Sequence, residues 1–167
     1  VSWKLALALL ALVAACGGKP GASGLTPSRA PIAHTRIGAG PADQVVNSDF
    51  ETPANLLITD AAEWRSVWEK LHAGLTPLPP APAVDFTQEA VVLVAIGQQP
   101  NGGHSVRIDS VNRAGSDSIV VRATHRIPGP DCITTQALVE PVDLARIPRP
   151  SGPVGFVVQV ATYPCES

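Results

Sequence analysis

The sequence predicts a mostly β domain with one helix. The α+β fold expected is an antiparallel β-sandwich or open barrel with an amphipathic helix packed on it. Three observations point there. One stretch alone has strong helical periodicity, about six runs have strand length and hairpin spacing, and abundant Pro and Gly, 17 and 14 residues, punctuate them.

A short strand is expected over residues 32–37, and Leu56, Leu57 and Ile58 form a second apolar run. Asp60 and Glu63 then have the spacing of a capping box, in which Asp60 accepts from the first free amides of a helix. Trp64, Val67, Trp68 and Leu71 fall on one helical face, with Arg65, Ser66, Glu69 and Lys70 outside it. Both tryptophans are expected in the core. The helix should stop near His72, with Gly74 in a left-handed conformation.

Four prolines within residues 76–82 require an extended loop, and 84–86 is a further short strand candidate. Residues 91–96 are continuously apolar and end at Gly97, as expected of a central strand buried on both faces. Val106, Ile108 and Val111 mark the next strand, where slipping alternation predicts a bulge. Residues 119–127 alternate, with Ile119, Val121 and Ala123 on one face. Residues 133–147 are rich in β-formers but contain Pro141, so an edge strand or bulge is expected there. Residues 156–160 form the last strand.

Ahead of this domain, Trp3 and Lys4 precede an apolar run, residues 5–15, that ends in Val13, Ala14, Ala15 and Cys16. A basic start, a short apolar stretch and small residues make a secretory signal. The run is shorter than the roughly 20 residues a membrane-spanning helix needs. The junction resembles the lipobox of bacterial lipoproteins. That resemblance implies cleavage before Cys16, lipidation of Cys16 by palmitate or a similar acyl chain, and display on a membrane of the bacterial cell envelope, facing periplasm or exterior. The alternative is a plain signal peptide with an incidental cysteine. The expected organisation is a signal peptide over 1–15, a Gly/Pro/Ser-rich tether over 16–31, and a single domain over 32–167 with its core at about 56–165.

Lys plus Arg total 12 against 14 acids, with no basic stripe interleaved with aromatics, which disfavours nucleic acid as a partner. With Cys16 assigned to lipid, Cys132 and Cys165 remain as an even pair in an oxidising compartment, where a disulfide is expected. Such a loop closure stabilises a fold by about 3–4 kcal/mol in the chain-entropy description. Two free thiols or a metal pair are the alternatives, although no His lies between or beside these cysteines.

The sequence predicts no enzyme, no cofactor and no metal. His34, His72, His104 and His125 are scattered, and no HExxH, GxSxG, phosphate-loop or zinc-ribbon spacing occurs. Asp131 beside Cys132 is the one imaginable reactive-thiol arrangement, and a disulfide would remove it. The candidate partner-binding feature is the turn Gln98, Gln99, Pro100, Asn101, Gly102, Gly103 and His104. Its glycines permit positive φ, Pro100 sets a bend, and Asn101 tolerates a left-handed backbone. Backbone donors from such a loop are expected to face solvent and a partner. A tight connection between two core strands is the simpler alternative.

Trp64 and Trp68, then the apolar strand 91–96, then Gly97, Pro100, Gly102 and Gly103 together resemble the PrcB C-terminal domain family, over roughly residues 56–163. In that family a helix with paired tryptophans precedes an apolar strand and a G-x-x-P-T-G-G-Y-like turn. This chain departs from the pattern at Asn101 and His104. The resemblance implies an interaction role, in the family's known case the stabilisation of a secreted protease complex by a lipoprotein. The same turn loosely resembles the loop of chagasin-like cysteine-protease inhibitors, keeping only its Pro and Gly. The expected partner is therefore a protein of the envelope, with a protease inhibitor or an envelope enzyme of unrecognised class as the alternatives.

Overall fold

A computed structural model describes residues 30–38 and 48–165. The signal peptide, Cys16 and nearly all of the tether lie outside the described residues. The elements are β1 (Thr35–Arg36), β2 (Pro53–Ile58), α1 (Ala61–Leu71), β3 (Glu89–Ile96), β4 (Ser105–Ala114), β5 (Ser118–Pro128), β6 (Val142–Pro148) and β7 (Val154–Tyr163). They form two sheets, of order β1-β6-β3-β2 and β4-β5-β7, that do not close into a barrel. The fold is thus the expected mostly β arrangement, with a single helix among the described residues, in its sandwich-like form.

β3 organises the layers. Every residue from Ala90 to Ile96 is buried. Ala90, Val92, Val94 and Ile96 meet Val106, Ile108, Val111, Val121 and Ala123 of the second sheet. Val91, Leu93 and Ala95 meet Trp64, Val67 and Leu71 of the helix. A strand apolar on both faces can only sit between two other layers, so helix, first sheet and second sheet stack in that order.

The helix begins as its cap predicts. Asp60 Oδ1 accepts from the Ala62 and Glu63 amides, both at 2.9 Å. The helix ends at His72, and Gly74 follows with φ +83°. Trp64, Val67 and Leu71 are buried, but Trp68 is only half-buried. The reason lies in the proline loop, which straps the outer edge of the helix. The Trp68 indole N–H donates to the Pro79 carbonyl at 2.8 Å, and that of Trp64 to Pro82 at 3.0 Å. Each indole needs an acceptor once its ring is covered, and the loop supplies one.

Four further expectations need correction. The second sheet is mixed, because β7 runs parallel to β5. Between them the chain crosses to the first sheet as β6, so it re-enters the second sheet from the same end. Residues 84–86 form no strand but lead into a turn over Phe86–Gln88: the Asp85 side chain accepts from the Thr87 amide and hydroxyl, and the Asp85 carbonyl from the amides of Gln88 and Glu89. Over 32–37 only Thr35–Arg36 is strand; Pro31 bridges to Asn112, and the Ala30 carbonyl accepts from Arg113, so the end of the tether lies along β4. Over 133–147 regular strand starts only at Val142, after Pro141.

One buried polar group joins the two sheets. Asp143 on β6 is 2% exposed. Arg36 donates to its Oδ1 from Nη2 at 2.7 Å and from Nε at 3.0 Å. The Ile108 amide donates to Oδ2 at 2.6 Å. Ile108 stands at the expected bulge, where the β4–β5 register shifts between Ile108 and Ser110. One carboxylate therefore holds β1, β6 and the bulged strand together.

Two stability predictions follow from this packing. Trp64→Ala should cost about 3–5 kcal/mol through lost burial and a cavity, whereas Glu69→Ala, on the exposed side, should stay within about 0.5 kcal/mol. Urea denaturation of the two variants compares them, and equal losses would refute the face assignment. Asp143→Ala should cost about 3–5 kcal/mol by the same measurement, because it strands a partly buried guanidinium and an amide together. A loss below about 1 kcal/mol would show that water replaces the carboxylate freely.

Candidate functional site

The turn after β3 is built into the protein rather than displayed by it. Gly97 has φ +75°, and a Cβ there would lie 2.8 Å from Pro53 Cδ. Only glycine meets both demands. The Gln98 amide then donates to the Glu51 carbonyl at 2.9 Å. Gln99 and Val139 exchange amide hydrogen bonds at 2.8 and 3.2 Å, a short bridge to the segment before β6. The Gly102 amide donates to the Thr135 carbonyl at 3.0 Å, and that of Gly103 to the Asn101 side chain at 3.1 Å.

These four amides are therefore used internally, contrary to the expectation that the loop offers its backbone donors outward. What it offers are side chains. Gln98 and Pro100 are exposed, while Gln99, Asn101 and His104 are half-buried. Neither Gly102 nor Gly103 has positive φ. They are glycines for lack of room: a Cβ on Gly102 would collide with the Thr135 side chain, and one on Gly103 would lie 2.6 Å from Thr134 Cγ2 and 2.8 Å from Pro128 Cγ.

Features far apart in sequence meet beside this turn. The Tyr163 hydroxyl donates to the Gly103 carbonyl at 2.8 Å. Two residues on, Cys165 is joined to Cys132, with Cα atoms 5.1 Å apart. The Gly129 amide donates to the Tyr163 carbonyl at 2.9 Å. The disulfide thus ties the end of β7 to the loop after β5, and Tyr163 passes that constraint to the turn. A shallow depression of about 310 Å³ lies here, lined by Gly129, Asp131, Thr162, Tyr163 and Cys165 among others.

The same end holds a pair not visible in the sequence. His104 Nδ1 and His125 Nε2 are 3.0 Å apart. Burial pushes the pKa of His104 down, and burial followed by the charge of His104 does the same to His125. The pair is neutral where an exposed histidine would begin to charge. The only available signal was parity: His125 continues the inward face of Val121 and Ala123 and stands opposite Val106, two residues beyond His104 on the same side of the chain. Among the described residues, no group of three or more His, Cys, Asp and Glu side chains gathers as a metal set would require.

Two further predictions come from this geometry. Gly103→Val should lower the urea midpoint clearly, by collision with Thr134 and Pro128, and a variant of parental stability would mean that the loop yields. For the histidines, a folded-state pKa below the ordinary 6.5 means the unfolded chain takes up protons first as pH falls. Stability should be full above about pH 6.5 and decline as the pH drops below it. His125→Gln should flatten that decline in urea titrations run between about pH 5 and 8; an unchanged slope would clear the pair of responsibility.

Comparison with known proteins places this geometry. No curated protein and no solved structure matches the chain significantly. A family model described as PrcB C-terminal matches residues 90–148. The matched stretch runs from β3 to β6 and contains the whole turn from Gln98 to His104, both histidines and Asp143, while the helix with its tryptophans and β7 lie outside it. The match supports a PrcB-like protein-interaction role. Through β3 to β6 and the turn they carry, the chain is similar to the PrcB C-terminal family.

Proposed function

We propose that this chain is a lipid-anchored protein of the bacterial cell envelope whose β domain binds, and thereby stabilises, a secreted or envelope protease complex without chemistry of its own. The observation that carries the reading is the family match over residues 90–148. The rigid mounting of the turn agrees with it. A loop held by Glu51, Val139, Thr135 and Tyr163 loses little conformational entropy when its exposed side chains meet a partner. The anchor rests on the apolar run that ends at Cys16.

Crosslinking of the full chain in native membranes, followed by capture, tests the partner. Gln98→Ala combined with Pro100→Ala changes the exposed side chains and leaves the glycines and the Asn101 and His104 contacts in place. The double variant should melt as the parent does and retain less of a protease-containing complex. Retention at the parental level would move the interface elsewhere. Stoichiometric inhibition of the captured protease, instead of its stabilisation, would favour the inhibitor reading. Cys16→Ser should abolish acyl labelling and membrane retention, and a variant that still partitions with membranes would refute the anchor.

A further inference from the structure

The second sheet ends in an unguarded strand. β7 pairs with β5 on one side and with no described strand on the other. Exposed strand edges are usually protected by charge, proline or a bulge. β7 is ten residues long, Val154–Tyr163, and contains no charged residue and no proline. The opposite edge of the sheet is treated differently, since residues 30–32 run along β4.

The two faces beside that edge differ in chemistry. On the inner face, Val154 and Phe156 pack against the core. Further along the same face, Val158 and Val160 emerge from it, 38% and 65% exposed. On the outer face, the neighbours of β7 are Arg122, paired with Val157, and Arg126, paired with Ala161. Arg126 lies over the Tyr163 ring, 4.9 Å from its centroid. Among the described residues the ion pairs are Arg36–Asp143 and Arg146–Glu89, so neither Arg122 nor Arg126 has an acidic partner. A carboxylate on this face, Asp109, accepts from the Thr124 hydroxyl at 2.6 Å.

We infer that the free edge of β7 accepts an extended segment of a partner protein whose residues alternate between acidic and apolar. This deepens the protein-binding reading above and rests on it. An added strand lies about 4.8 Å beyond β7, hence about two strand spacings from β5. Carboxylates on its outer side meet Arg122 and Arg126 across Val157 and Ala161, whose short side chains leave the way open. Its apolar side chains cover Val158 and Val160. Backbone pairing supplies affinity, and the alternation supplies register and specificity.

The test is fluorescence anisotropy of the full chain with a labelled peptide of about ten residues alternating Glu and Val. Binding is expected, and Arg122→Gln with Arg126→Gln should weaken it about three- to tenfold at low salt, less at high salt. A peptide of the same composition with its glutamates grouped should bind less well, a control that holds even if the double variant folds poorly. Equal binding by the grouped peptide, or an undiminished affinity in a folded double variant, would overturn the inference. So would a parent that sediments as a dimer and ignores the peptide, because β7 would then be occupied by a second copy. Membrane crosslinking separates the two levels of the argument. A partner captured equally by parent and double variant sinks the β7 inference and leaves the interaction reading standing. Arginine-dependent peptide binding upholds the β7 inference, and if the parent captures no partner it counts against the protease-complex reading alone.

Discussion

A strand with no polar face constrains everything else in this protein. β3 carries apolar side chains from Ala90 to Ile96 on both sides, so it must be covered twice. The helix covers one side and the β4-β5-β7 sheet the other. The cost of exposing either face, about 25 cal/mol for each Å² of apolar surface, keeps both layers in place. The strand also sets where the turn can go. The chain leaves the core at Gly97, and positive φ there turns it against Pro53 and Glu51 rather than into solvent. A connection that begins inside a three-layer stack can satisfy its amides only on what surrounds it, and the segments before β2 and β6 are what surround it.

Much of this was legible because it depends on local pattern. Helical spacing located α1, the Asp60 cap and Gly74 defined its ends, and unbroken hydrophobicity marked β3 as central. The slipped alternation of Val106, Ile108 and Val111 announced the bulge. The misreadings share a cause of another kind. Nothing local distinguishes a parallel β5–β7 pair from an antiparallel one, since direction is decided by the passage of β6 through the other sheet. Val84, Asp85 and Phe86 have strand-like residues, yet the Asp85 side chain engages Thr87 and closes a turn. Trp68 has the spacing of a core residue, but the proline loop beside it shields only part of the ring. Periodicity identifies a face without telling how much lies above it.

The candidate site shows the same division. Its glycines were recognisable as required, but for the wrong reason at two positions. Gly102 and Gly103 answer to Thr134, Thr135 and Pro128, about thirty residues away, rather than to their own backbone angles. The approach of His104 to His125, and of Tyr163 to Gly103, depends on which strands are neighbours, and so belongs to topology. Asp143 is the sharpest case. An acid within an apolar strand reads locally as a fault. In the folded protein it receives Arg36 from a strand more than a hundred residues earlier and an amide from the bulge on the facing sheet.

This arrangement gives the two ends of the second sheet different characters. Where the sheets are joined, β4 is held by Asp143 and by residues 30–32, so that edge is spent on internal contacts. At the other side, β7 is anchored at its C-terminal end by the disulfide and the Gly129 amide, while its outward edge has no described neighbour. A strand fixed in position but unpaired along its length has already lost much of the freedom that docking would remove. The turn, reached through the Tyr163 hydroxyl, is fixed by the same strand. A partner that touches either the turn or the β7 edge therefore meets one rigid unit, stapled by the disulfide at the end of β7.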